Sequence, residues 1–185
     1  MNSKSKIHLE KTVITELVKL YLGKECIDSV EITNGWFNTI FLIHLEDDSH
    51  CILKISPPSE FTVMRYEKDI LYTEKSMLDL LYSAGIPVPR VLSYIETNPY
   101  FDHPCFFMEY VKGQTVHSFK EEQKSSDKTD FSKLNFNLGS LQAKINNLGS
   151  GITRWGLPAS DMSYSSWKEA LCTLVNGLLL DAADK

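Results

Sequence analysis

Lys54 stands inside an otherwise apolar, strand-like run, "CILKI". Side chains alternate faces along a strand, so Cys51, Leu53 and Ile55 share one face and Ile52 and Lys54 the other. Read alone, Lys54 is an ordinary surface lysine. The next apolar stretch adds Glu67 and Glu74, seven residues apart. On a helical projection both fall near the middle of a face made by Val63, Ile70, Met77, Leu78 and Leu81, opposite Arg65, Lys68, Asp69, Tyr72, Lys75, Ser76 and Asp79. A carboxylate turned toward a core is costly unless a cation meets it. Pairing Lys54 with Glu74 or Glu67 resolves both conflicts. The alternative leaves the glutamates at the helix edge in water. An ammonium held in this way can grip a phosphate as a point charge. Gly35, in the turn-like "NGWFN" before the hairpin, would let backbone N–H groups approach the same phosphates, and Asn38 would add a side-chain donor.

The elements that must position these residues follow from pattern. "EKTVITELVKLYLG" reads as an amphipathic helix with Val13, Leu17 and Leu20 or Tyr21 on one face, stopped at Gly23. "SVEIT" is a short strand. Residues 39–45 and 51–55 form a hairpin joined by the polar "EDDSH", and "PP" at 57–58 ends its second strand. A long helix is expected over 60–84, closed near Gly85. "IPVPRVLSYIE" leads into another strand, and "CFFMEYV" is the last apolar one. "KEEQKSSDKTD" reads as a polar linker, and beyond it helices are expected over 131–148 and 163–182, separated by the glycine-rich "GSGITRWG". The order predicts an α+β chain of two unlike lobes. These are residues 1–112, a hinge and linker at 113–130, and a partial helical lobe at 131–185.

Composition narrows the classes. The 185 residues are 43% hydrophobic, with a net charge of −5 and a pI near 5.5, which argues against general nucleic-acid binding. No run of about 18 apolar residues suggests a membrane span, and "MNSKSKIHLEKT" lacks the apolar core of a signal peptide. Cys26, Cys51, Cys105 and Cys172 are scattered without a CxxC pair, so free thiols in a reducing cytoplasm are expected.

Four stretches together resemble the nucleotide-binding lobe of the kinase fold, and within it the aminoglycoside phosphotransferase and choline-kinase-like branch. They are "NGWFNTIFLIHL", "CILKI", "EKSMLDLLYSAGIPVPRVLSYIE" and "CFFMEYVKGQTV". "LGSLQAKINNL" resembles the first helix of the large lobe, with Asn146 where a histidine is common. The resemblance covers roughly residues 10–150. It implies an antiparallel sheet plus helix, followed by the start of a helical lobe, and it favours Glu74 over Glu67 as the partner of Lys54. By the same resemblance Lys54 would hold the α- and β-phosphates of ATP or GTP, oriented by Glu74. Met108 would back the base pocket. The C=O of Glu109 and the N–H of Val111 would read the base edge, and Ile40 and Ile52 would sandwich the base.

The resemblance also implies a His-x-Asp catalytic loop and an aspartate for Mg²⁺. His8, His44, His50, His103 and His117 are followed two residues on by Glu10, Glu46, Ile52, Cys105 and Phe119, so none opens that loop. Asp161, Asp181 and Asp184 read as helix-end or surface charges. In "SSWKEALCTLVNGLLLDAADK" an apolar stripe of Trp167, Leu171, Leu174, Val175, Leu178 and Leu179 needs cover. Two expectations follow. One is the nucleotide-binding portion of a small-molecule phosphotransferase, acting on a hydroxyl acceptor, whose catalytic half and metal ligands are absent from this chain. The alternative is a catalytically inactive kinase-like binding or regulatory module, a homodimer through 163–182. A plain α+β protein without a nucleotide site would require a solvated Lys54 and an unpaired Glu74.

Overall fold

A computed structural model describes residues 5–33, 35, 37–123, 131–151, 153–157 and 163–184. The first element is α1, Lys11–Leu22, closed by Gly23, which sits at φ +66° and donates its N–H to the Lys19 carbonyl. That left-handed position suits glycine, which has no Cβ to crowd the preceding carbonyl. The buried face of α1 is Ile14, Leu17 and Val18, with Val13 and Tyr21 partly covered. Of the two expected alternatives Tyr21 lies on the covered face, while Leu20 points outward, 59% exposed. Ile14, Leu17, Val18 and Tyr21 make the tighter i, i+3, i+4, i+7 stripe.

Five strands follow the expected order: β1 Cys26–Glu31, β2 Thr39–Leu45, β3 His50–Ile55, β4 Val91–Ile95 and β5 Cys105–Glu109. They form one antiparallel sheet in the order β1-β2-β3-β5-β4. Phe41, Ile43, Leu45, Cys51, Leu53, Ile55, Ile95, Cys105 and Phe107 turn to one face and meet α1 in a continuous core. The two-residue period of β2, with Thr39, Phe41, Ile43 and Leu45 buried, is the clearest local cause of that face.

The second face carries α2, Ile70–Ser83. The single helix expected over 60–84 is broken. Residues Arg65–Glu67 form a 3-10 turn, and Asp69 takes a left-handed conformation at φ +54° before α2 begins. A regular helical period cannot run through such a residue, so Val63, Arg65, Lys68 and Asp69 do not belong to the wheel of α2. Within α2, Leu71, Glu74, Leu78 and Leu81 keep the 3-4-3 spacing of one face. Leu71 is buried and the other three half-buried, while Met77 is more exposed, at 38%. Gly85, at φ +72°, closes the segment as expected.

Beyond β5 the chain is helical with one ribbon. Val116–Gln123 forms α3, where a polar linker was expected; the Thr115 hydroxyl caps it by accepting the Ser118 N–H. The rest of that linker, 124–130, lies outside the described residues, as do Trp36 and Asp161. Helix α4 is Ser132–Leu148, close to expectation. Strands β6, Trp155–Gly156, and β7, Ser163–Tyr164, pair as a ribbon that the glycine-rich turn did not suggest. Helix α5 therefore starts late, at Trp167–Ala183, with the Ser166 hydroxyl accepting the Glu169 N–H. Its apolar stripe lies exposed, from Trp167 to Leu179.

Candidate functional site

The sheet register builds the site in rows. Across the face that carries α2, Ile40 lies opposite Lys54, Lys54 opposite Phe106, and Phe106 opposite Tyr94. The next row runs Val30, Leu42, Ile52 and Met108. A third row stacks His44 on His50, ring centroids 4.7 Å apart, with Tyr110 at 5.8 Å from His50. One sheet face thus grades from a charged row through an apolar row to an aromatic one.

Helix α2 crosses the charged row. Tyr72 meets Tyr94 edge-on at 5.7 Å, and two residues on Glu74 reaches Lys54. The Lys54 ammonium donates to both carboxylate oxygens, at 2.6 and 2.5 Å. The lysine side chain is 14% exposed and the glutamate 36%. The pair that the apolar pattern demanded is therefore made by Glu74. Glu67 is occupied elsewhere, its carboxylate accepting the Met64 N–H at 2.9 Å within the 3-10 turn. A solvated lysine and an unpaired glutamate, the requirement of a protein without this site, are not what the chain adopts. An ammonium has three donors, so the carboxylate leaves capacity for another anion.

A Cβ at Gly35 would meet Ile40 Cδ1 at 3.7 Å and the Asn38 carbonyl at 3.9 Å, both ordinary contacts, so the backbone there does not demand glycine. Among the described residues the buried amide oxygen of Asn38 has no hydrogen-bond partner; that oxygen is an acceptor, whereas the donor expected of Asn38 is its NH₂.

At the far end of β5, Met108 is half-buried in the apolar row. The Glu109 carboxylate is tied to Arg90, accepting the Arg90 N–H at 3.1 Å and pairing with its guanidinium at 3.2 Å, while the Glu109 N–H donates to the Arg90 carbonyl. Val111, just past the strand, is 65% exposed, and its N–H has no protein partner among the described residues. Ile40 and Ile52 lie on one sheet face, so they belong to a single wall; they cannot flank a flat ligand from both sides. Sequence reasoning missed Leu42 and Val30, which the register places beside Ile52 and Met108. Their signal was the even spacing of Ile40, Leu42 and His44 along β2, but only the strand pairing says which of them meets Ile52.

Among the described residues no group of three or more His, Cys, Asp or Glu side chains could hold a metal ion, and no helix is long and apolar enough to cross a membrane. Comparison with curated proteins found no match. A model of the phosphotransferase enzyme family matches residues 28–143, which is more than half of the chain and spans every row just described, the helix that brings Glu74, and part of α4. The chain belongs to the phosphotransferase enzyme family.

Proposed function

We propose that this chain binds a nucleoside triphosphate, ATP or GTP with Mg²⁺, as the donor site of a small-molecule phosphotransferase of the aminoglycoside phosphotransferase and choline-kinase-like branch. The observation that carries the reading is the Lys54–Glu74 pair, set beside an apolar row on one sheet face. Lys54 meets the α- and β-phosphates while Glu74 fixes where its ammonium stands. Asn38 and the turn at Gly35 supply further polar groups toward the phosphates. Leu42, Ile52 and Met108, with Ile40 and Val30 at the edges, offer the base an apolar wall, and the C=O of Glu109 and the N–H of Val111 offer it an edge to pair with.

The triphosphate supplies the phosphoryl group that a hydroxyl acceptor receives. No residue of this chain is assigned to Mg²⁺ or to the acceptor's proton. The part performed here is to bind the donor and hold it. Two buried thiols, Cys51 and Cys105, fit a reducing compartment, and we place the protein in the cytoplasm.

Thermal shift with Mg-ATP and Mg-GTP tests the reading. At a hundredfold excess over Kd, binding adds about 2.7 kcal/mol, which for a chain of this size raises the melting temperature by roughly 5–10 °C. The shift is expected in the native chain and lost in Lys54→Ala. Equal shifts in both, or none in either, overturn the reading.

A further inference from the structure

We propose that Arg65 is a positioning residue for the Lys54–Glu74 pair, acting through α5; the inference rests on the nucleotide reading above. Arg65 lies in the 3-10 turn, 116 residues from Asp181, yet it holds the end of α5 with its side chain and its backbone together. Its guanidinium pairs with Asp181 and, at 2.7 Å, with Asp184, and its backbone N–H donates to the second Asp181 oxygen at 3.0 Å. Asp181 is largely covered, 14% exposed. Two acids in the last turn of a helix oppose its dipole, so their placement serves the contact with Arg65 rather than α5 itself. Gly177, one turn earlier on the same side, lies beside the Arg65 stem; a Cβ there would stand 4.0 Å from Arg65 Cβ and Cδ, an ordinary contact.

This contact matters to the site because the hold of α2 on the sheet is thin. Only Leu71 and Thr73 of its fourteen residues are buried. The chain entering it is irregular at Lys68 and left-handed at Asp69, so the 3-10 turn and α2 are not one continuous rod. Helix α5 spans that break. A groove of about 240 Å³ is lined by Tyr66 of the turn and Ile70 of α2 on one side, and by Trp167, Ala170, Leu171 and Leu174 of α5 on the other. Glu74 is one helical turn past Ile70. Arg65 joins the last turn of α5 to the 3-10 turn, α5 faces the start of α2 across the groove, and α2 presents the carboxylate to Lys54.

Titration calorimetry of the full chain with Mg-ATP, arranged as a double-mutant cycle, tests this. Glu74→Gln weakens binding about tenfold and Arg65→Ala about fivefold. Because Arg65 works by placing Glu74, the double variant binds no more weakly than Glu74→Gln alone, and Arg65→Lys recovers affinity to within about twofold of the native chain. If Arg65→Ala does not fold, Asp184→Asn takes its place in the cycle. Native affinity in the Arg65 or Asp184 variant, with stability alone reduced, overturns the inference, and so does a multiplicative loss of about fiftyfold in the double variant. Those results leave the nucleotide reading standing when Lys54→Ala still abolishes binding. Failure of the native chain to bind Mg-ATP or Mg-GTP overturns both.

Discussion

At the scale of single residues, the site turns on one charge conflict and its resolution. Glu74→Gln keeps the shape of the helix side chain and removes its charge, so the Lys54 ammonium stays in place with one weaker bond in place of two charge-assisted ones. Nucleotide affinity is expected to fall about tenfold, against complete loss in Lys54→Ala; equal affinities in Glu74→Gln and the native chain would refute an orienting role. The thiols make a second test. Burial pushes the Cys51 and Cys105 thiols up to about 12 and raises that of Cys26 as well, while Cys172 is exposed. Native alkylation at pH 8, followed by peptide mapping, should label Cys172 first, and Cys51 and Cys105 only after unfolding. A third concerns acid. The Lys24 ammonium and the Ser49 hydroxyl bond Asp47 at 2.6 and 2.5 Å and hold its carboxyl far below its ordinary value of 3.8. A depressed carboxylate adds stability that is fully present above the unfolded value and is lost as pH falls through the folded one. Urea midpoints should therefore drop below about pH 4 in the native chain, and less steeply in Asp47→Asn; since Asp47 is exposed, the difference should shrink in salt. Lys54 and Glu74 were legible in the sequence because a charge in an apolar pattern demands a partner. Leu42 and Val30 were not, because strand register is a pairing between distant segments and leaves no mark on either one alone.

At the scale of elements, local signals read well where they repeat and poorly where one residue breaks the repeat. The alternation of β2 and the stop at Gly23 were visible. The left-handed Asp69 was not, since nothing in its type separates it from a helical aspartate, and so one long helix was expected where a 3-10 turn and α2 stand. The same limit hid the start of α5, where Ser163 and Tyr164 serve a ribbon and Ser166 serves as the cap. Helix α5 also carries a residue that can be improved. Gly177 is helical, its φ is not positive, and an added methyl would make only ordinary contact with Arg65 at 4.0 Å. Glycine costs a helix interior about 1 kcal/mol relative to alanine. Gly177→Ala should raise ellipticity at 222 nm and the melting temperature by roughly 2–4 °C, without loss of nucleotide affinity. A fall in both would mean that the Arg65 stem needs more room than the geometry gives it.

At the scale of the whole molecule, burial is unevenly shared, and that asymmetry makes a prediction about unfolding. The continuous core joins α1 to the α1-facing side of the sheet, and none of its buried members lies beyond Phe107. By contrast α4 has no buried residue, and α5 has only Ala170. The family order of sheet, helix and later helices was legible because each strand carries its own apolar period; how α4 and α5 seat themselves was not, since their stripes name no partner. Local opening costs least where few apolar contacts close over the backbone. Hydrogen exchange should accordingly find the slowest amides in β2, β3 and β5 and fast exchange along α4, with α5 intermediate because the Arg65 contact and the groove at Tyr66 hold one of its sides. Leu17→Ala, at a fully buried position of α1, should cost about 2–5 kcal/mol. It should lower protection together in all three of those strands while leaving α4 as fast as before. If α4 instead exchanged as slowly as β3, or slowed and quickened with it across such variants, the sheet and the late helices would be one cooperative unit, and the division of the molecule into a firm sheet and a loosely held helical part would be wrong.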